Sequence, residues 1–242
     1  MPEFYCGAAP EPQNLALAWN VDPVAIALCV ALVAIHARVG RRRDRPALLA
    51  GTGLLLLLFV SPLCALTVAL FSARVAHHTL LIGVAAPLLA LAFREVRIPG
   101  PALPLSVLVA VNAAILWFWH VPQVYEVAIV GALPYWAMQS SLLTAAFLLW
   151  RGVLAREMHP GLAVFALLAT MVQMGMLGAL LTFARRPLYT PHLASAEPYG
   201  LSPLADQQLA GLIMWVPASL PYLAAAVLLL AAWGAPASRP VP

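Results

Sequence analysis

The stretch ALLAGTGLLLLLFVSPLCAL, residues 47–66, decides the fold: it runs for twenty residues without a charge. A helix needs about 20 apolar residues to cross the roughly 30 Å hydrocarbon core of a bilayer. Working outward, apolar runs predict six more spans: Pro23–Val39, Val75–Phe93, Leu103–His120, Pro134–Trp150, Gly161–Ala184 and Ala205–Trp233. Prolines mark the breaks, at Pro46, Pro99, Pro101, Pro122, Pro134 and Pro160. Proline is tolerated at a first helical turn, where its missing N–H would have no helical partner. Pro87, Pro217 and Pro221 fall inside predicted spans and should kink them, the freed carbonyls being satisfied by neighbouring helices.

Composition agrees with this reading. Of 242 residues, 63% are apolar and 9% are charged, whereas soluble domains carry about 25% charged residues. So few charges cannot cover a solvated globule, which excludes a soluble enzyme, a disordered chain and a disulfide scaffold. The predicted fold class is all-α, a polytopic membrane helix bundle of seven transmembrane helices in a single domain, residues 1–242. The 22 residues before the first span carry Glu3, Glu11 and Asp22 and no basic residue. A signal peptide has a positive leading region, so this first span is expected to be retained.

All 13 basic residues are arginine. Seven spans place Arg38, Arg41, Arg42, Arg43, Arg45, Arg94, Arg97, Arg151, Arg156 and Arg239 on one side, against Arg74, Arg185 and Arg186 on the other. By the positive-inside rule the N-terminus lies outside and the C-terminus inside. Residues 1–22 are then an outer tail, 185–204 a long outer loop and 234–242 an inner tail. The net charge of +4 is a topology signal and needs no nucleic-acid partner; the lipid bilayer is the partner it implies.

This topology gives each polar residue a depth. His77 and His78 are expected in the first turn of the third span, at the outer face. Trp119 and His120 end the fourth span at the same face, and Tyr125 and Glu126 follow in an outer loop. Asp206 and Gln207 open the seventh span. Met214 and Trp215 lie further in, Met214 by about 12 Å, and Met174 lies near the middle of the sixth. His36, Asn112 and His159 belong to the inner half or the midplane. Ionisable groups at membrane depth are costly and point to a functional site.

Three readings compete for this cluster: interfacial anchoring and packing, a metal site, and haem ligation. Imidazole with thioether suits copper, Cu(I) above all. Cys6 in the outer tail and Cys64 near the outer end of the second span either pair as a disulfide or leave Cys6 as a copper thiolate; Cys29 is a packing residue. No phosphate-binding loop, nucleophile elbow or zinc-protease motif occurs, so no enzyme is expected. No internal repeat of the kind common in transporters is evident.

Several stretches together resemble the CtaG-like family of cytochrome c oxidase assembly factors, the multi-span type associated with caa-type oxidases. They are Ser61-Pro62-Leu63, Ser72-Ala73-Arg74-Val75-Ala76-His77-His78, Trp119-His120-Val121-Pro122 with Tyr125, and Asp206-Gln207-Gln208 followed by Gly211, Met214 and Trp215. The resemblance implies a bacterial inner-membrane (plasma-membrane) protein that matures a haem–copper oxidase, with copper as cargo. Oxidase subunits or a copper donor protein are the implied partners. His78, His120, His77, Met174 and Met214 would hold the metal, Asp206 would orient a histidine, and Gln207, Trp119, Tyr125 and Trp215 would line the site. Arg74, Tyr135 and Gln139 stand where the family often has histidine. These departures favour a metal-free assembly chaperone over what the family alone suggests. A small transporter or channel with a polar outer vestibule is the reading from another class.

Overall fold

The computed structural model describes residues 4–97 and 103–234. Regular structure there is helical, and no strand is present among these residues beyond one isolated bridge between Phe4 and Val130. The expected break at Pro99-Gly100-Pro101 and the tail beyond Gly234 lie outside the described residues. The helices are α1 (Pro23–Val39), α2 (Arg45–Val60), α3 (Pro62–Ala69), α4 (Phe71–Leu80), α5 (Ala86–Ala92), α6 (Leu105–Trp119), α7 (Pro122–Ala128), α8 (Ala132–Val153), α9 (Pro160–Thr182), α10 (Pro203–Trp215) and α11 (Leu220–Gly234).

Each expected span coincides with helix, but they are not seven equivalent rods. Among the described residues three segments are long and apolar enough to cross a membrane: Phe71–Ala92, Pro160–Thr182 and Pro203–Gly234. The number rises to five if each of two bent pairs counts as one span. α1, with 17 residues, is shorter than those three. α8 is long enough at 22 residues, but Gln139, Ser140, Ser141, Thr144 and Arg151 dilute its apolarity.

The departures have local causes. The expected helix over 47–66 breaks at Ser61, where α2 and α3 meet at 52°. The residue before a proline avoids the helical region, and Ser61 is extended ahead of Pro62. The Ser61 hydroxyl then accepts the Leu63 N–H at 3.2 Å and caps α3. Val121-Pro122 repeats the device between α6 and α7, at 81°. Tyr125 and Glu126 therefore belong to a short helix and not to a loop.

The third span begins at Phe71 and not near Val75, so His77 and His78 lie in its second turn. Its expected kink at Pro87 appears as a wide π-type turn over Leu81–Ala85. Pro87 cannot donate to Gly83, and a wide turn absorbs that missing bond. The Trp150 indole N–H donates to the Ile82 carbonyl at 3.0 Å, satisfying one group of this loosened turn from α8.

α9 and α10 cross closely. A Cβ on Gly211 would stand 2.5 Å from the Gly178 carbonyl oxygen and 2.6 Å from the Thr182 nitrogen. Small residues are what permit helices to approach this closely inside a membrane.

Candidate functional site

One end of the bundle gathers the polar core. α4 begins without a capping side chain of its own. Asp206, fully buried in the first turn of α10, caps it from outside. Its carboxylate accepts the Phe71 N–H at 2.7 Å, the Ser72 N–H at 3.1 Å and the Ser72 hydroxyl. A carboxylate at a helix N-terminus meets both unpaired N–H groups and the positive end of the helix dipole. Asp206 thus holds α4, the helix that carries the histidines, and has no contact of this kind with a histidine.

Gln207 ties down the following loop. Its carbonyl oxygen accepts the Leu188 N–H at 2.7 Å, and its amide donates to the Arg186 carbonyl at 3.4 Å. The adjacent Gln208 donates to the Ala184 carbonyl at 3.4 Å. The Asp-Gln-Gln triplet is therefore a clasp joining α4, α10 and the α9–α10 loop.

Four histidines are buried at this end: His77, His78, His120 and His192. The rings of His78 and His120 are 6.2 Å apart between centroids, and those of His77 and His78 are 5.8 Å apart. His120 Nδ1 faces the Leu116 carbonyl at 2.7 Å. A carbonyl only accepts, so Nδ1 carries the proton and Nε2 presents a bare lone pair. His78 Nε2 lies 3.4 Å from the Gln139 amide nitrogen, while its Nδ1 has no partner. A metal held between two imidazole nitrogens, at about 2 Å from each, separates the ring centres by about 6 Å. His78 and His120 have that spacing. His77 has neither nitrogen bonded and packs edge-on to Phe59, with centroids 4.9 Å apart.

Arg74 lies four residues before His78, on the same face of α4. It is 1% exposed, and its Nε and Nη1 have no partner. Its guanidinium sits 5.5 Å from the centre of the Tyr135 ring. Cation–π attraction offsets part of the cost of burial, but no carboxylate forms an ion pair with Arg74 among the described residues. A cation beside His78 raises the cost of a second cation there.

Sequence reading missed part of this wall. Tyr125, expected on an outer loop, is buried, and its hydroxyl bonds His192 Nε2 at 2.7 Å. Tyr189 stacks on Phe71 at 3.8 Å and donates to the His120 carbonyl at 2.8 Å. His192 lies in the loop between α9 and α10, where burial and then the charge of Arg74 hold its imidazole down at about 4. A buried loop histidine 67 residues from its tyrosine partner leaves no periodic trace in the sequence.

Met174 and Met214 are both buried in the core, on α9 and α10. Trp119 is half-buried and donates to Ser141 at 2.8 Å. Trp215 is 43% exposed and packs over Gly175 and Gly178 at the α9–α10 crossing. No group of three or more His, Cys, Asp or Glu side chains is arranged to hold a metal among the described residues.

The two alternatives for Cys6 resolve in the structure. Cys6 and Cys64 form a disulfide, with Cα atoms 5.6 Å apart. The Tyr135 hydroxyl lies 3.5 Å from one sulfur and 3.8 Å from the other. The disulfide straps the N-terminal segment over α8, where Tyr5 stacks on Tyr135 at 4.2 Å and accepts the Trp136 indole N–H at 2.7 Å.

The family described as cytochrome c oxidase caa3 assembly factor (Caa3_CtaG) matches residues 102–235. The chain belongs to that family. The matched part of this assembly factor contains His120, Tyr125, Met174, Asp206, Gln207, Met214 and Trp215, whereas Arg74, His77 and His78 precede it. No curated protein and no solved structure matches the chain.

Proposed function

We propose that this chain matures a haem–copper oxidase by passing copper through the His78–His120 pair. The observation that carries the reading is the pair itself: two buried imidazoles at the spacing of a bridging ion, with His120 held in the tautomer that leaves Nε2 free. Two neutral nitrogens suit Cu(I), and exchangeable two-point ligation suits cargo more than a resident cofactor. No catalysis is assigned to the chain. It serves the oxidase as an assembly partner.

The proposed setting is a bacterial inner membrane, with all seven helical segments spanning and the N-terminus outside. The arginine distribution supports this orientation. So does the Cys6–Cys64 disulfide, which belongs in an oxidising compartment on the histidine side. A copper donor protein or an oxidase subunit would then meet the His120 end from outside.

The test is complementation. A strain lacking the chain should assemble oxidase with substoichiometric copper. The native chain should restore it, and the His78→Ala/His120→Ala variant should not. Full restoration by that variant removes copper passage from the proposal. A second reading, a metal-free chaperone for the same oxidase, is favoured by the unpaired Arg74 cation and by Tyr135 and Gln139 in place of ligands. Under that reading the double variant restores copper fully.

A further inference from the structure

Three cavities join along one side of the bundle. An apolar cavity of about 310 Å³ lies against α1, α5 and α8 and is lined by Leu28, Leu32, Phe93, Leu143 and Phe147. It shares Val96 and Arg151 with a polar cavity of about 540 Å³ that holds Arg94, Arg97, Arg151 and Arg156 against Glu95 and Glu157. In the other direction it shares Leu28, Leu143 and Thr144 with a cavity of about 440 Å³ reaching Leu133 and Trp136. α1 packs on α2 while α8 packs on α5 and α6, so the space between α1 and α8 is a groove with a basic mouth.

We infer that this groove holds one anionic phospholipid, its phosphate on the arginines and an acyl chain along α1 and α8. Arg151 is fixed for this task at the junction. Its Nη1 and Nη2 donate to the carbonyls of Phe93 and Val96, and its guanidinium stands 5.8 Å from the centre of the Phe147 ring. A guanidinium has five N–H donors, so three remain for a phosphate. Glu95 pairs with Arg156 and also with Arg41 and Arg43 from outside the cavity, and Asp44 pairs with Arg94, which leaves the charges of Arg97 and Arg151 without an ion-pair partner among the described residues. A zwitterionic headgroup would bring its own cation against these arginines, whereas an anionic one would not. Basic pockets beside membrane helices bind anionic headgroups by this chemistry. The eight steps along α8 from Leu143 to Arg151 rise about 12 Å, close to the roughly 15 Å of one leaflet's hydrocarbon. The apolar continuation is what selects a lipid over free phosphate.

The test uses the full chain, delipidated in detergent and returned to bilayer discs of phosphatidylcholine alone or with phosphatidylglycerol. Native mass spectrometry reads the retained lipid, and thermal unfolding reads its effect. The native chain should retain about one phosphatidylglycerol and unfold at higher temperature in the mixed discs. Arg97→Gln/Arg156→Gln and, separately, Thr144→Trp should each lower retention by about tenfold, or about 1.4 kcal/mol, with unchanged unfolding in phosphatidylcholine. Should Thr144→Trp fail to fold, the exposed arginine pair decides alone. Equal retention of phosphatidylcholine, undiminished retention in the arginine variant, or the same stabilisation from inorganic phosphate would each overturn the assignment.

Discussion

Replacing Asp206 by alanine removes three hydrogen bonds from a site with no access to water. The Phe71 and Ser72 N–H groups, which the carboxylate holds at 2.7 and 3.1 Å, lose their partner, and the Ser72 hydroxyl must turn elsewhere. A buried donor left unsatisfied costs about 1–3 kcal/mol, so two cost about 2–6 kcal/mol. Relief from burying the carboxylate brings the expected loss toward about 3 kcal/mol. At about 2–4 °C per kcal/mol for a chain of this size, the unfolding midpoint should fall by about 6–12 °C in detergent. Asp206→Asn keeps one acceptor oxygen but turns an amide NH₂ toward the other donors, so it should lose nearly as much. Thermal unfolding followed by tryptophan fluorescence measures both. A midpoint within about 1 °C of the native chain for Asp206→Ala would refute the capping role.

Other expectations follow from the same geometry. Gly211→Ala puts a methyl group against backbone on α9, an overpacking cost of about 1–3 kcal/mol or more, and unfolding temperature should fall accordingly. The Cys6–Cys64 disulfide spans 58 residues and contributes up to about 4 kcal/mol in the chain-entropy account. Alkylation of the denatured protein should add one group before reduction, on Cys29, and three after it. His192 sets a pH dependence: its folded value of about 4 lies below the ordinary value of about 6.5. Between these values the unfolded chain binds the extra proton, so acidification destabilises the fold. From pH 7 to pH 5 this residue should cost about 2 kcal/mol, and His192→Gln should flatten the midpoint-versus-pH curve by that amount.

The helices were legible because twenty-residue apolar runs have one stable solution in a bilayer. Their interruptions were only half legible. Pro62 and Pro122 announced breaks, but the 52° and 81° bends depend on what packs at each corner. Asp206 stands out in the sequence as an ionisable residue at membrane depth, and the task the structure gives it is to cap α4. In the sequence Asp206 lies at the start of its own helix and far from α4, and only the fold brings it to Phe71, 135 residues away. A separation of 67 residues likewise hid the Tyr125–His192 bond. The methionines show the opposite limit. Their side chains fill apolar space as readily as they bind metal, so the burial of Met174 and Met214 is compatible with either role.

The most direct measurement is Cu(I) binding by the reduced, detergent-purified chain, titrated against a competing chelator. The account predicts about one copper per chain, lost in His78→Ala/His120→Ala and tightened when Arg74→Gln removes the neighbouring charge. Equal copper in the native chain and the histidine variant would contradict it.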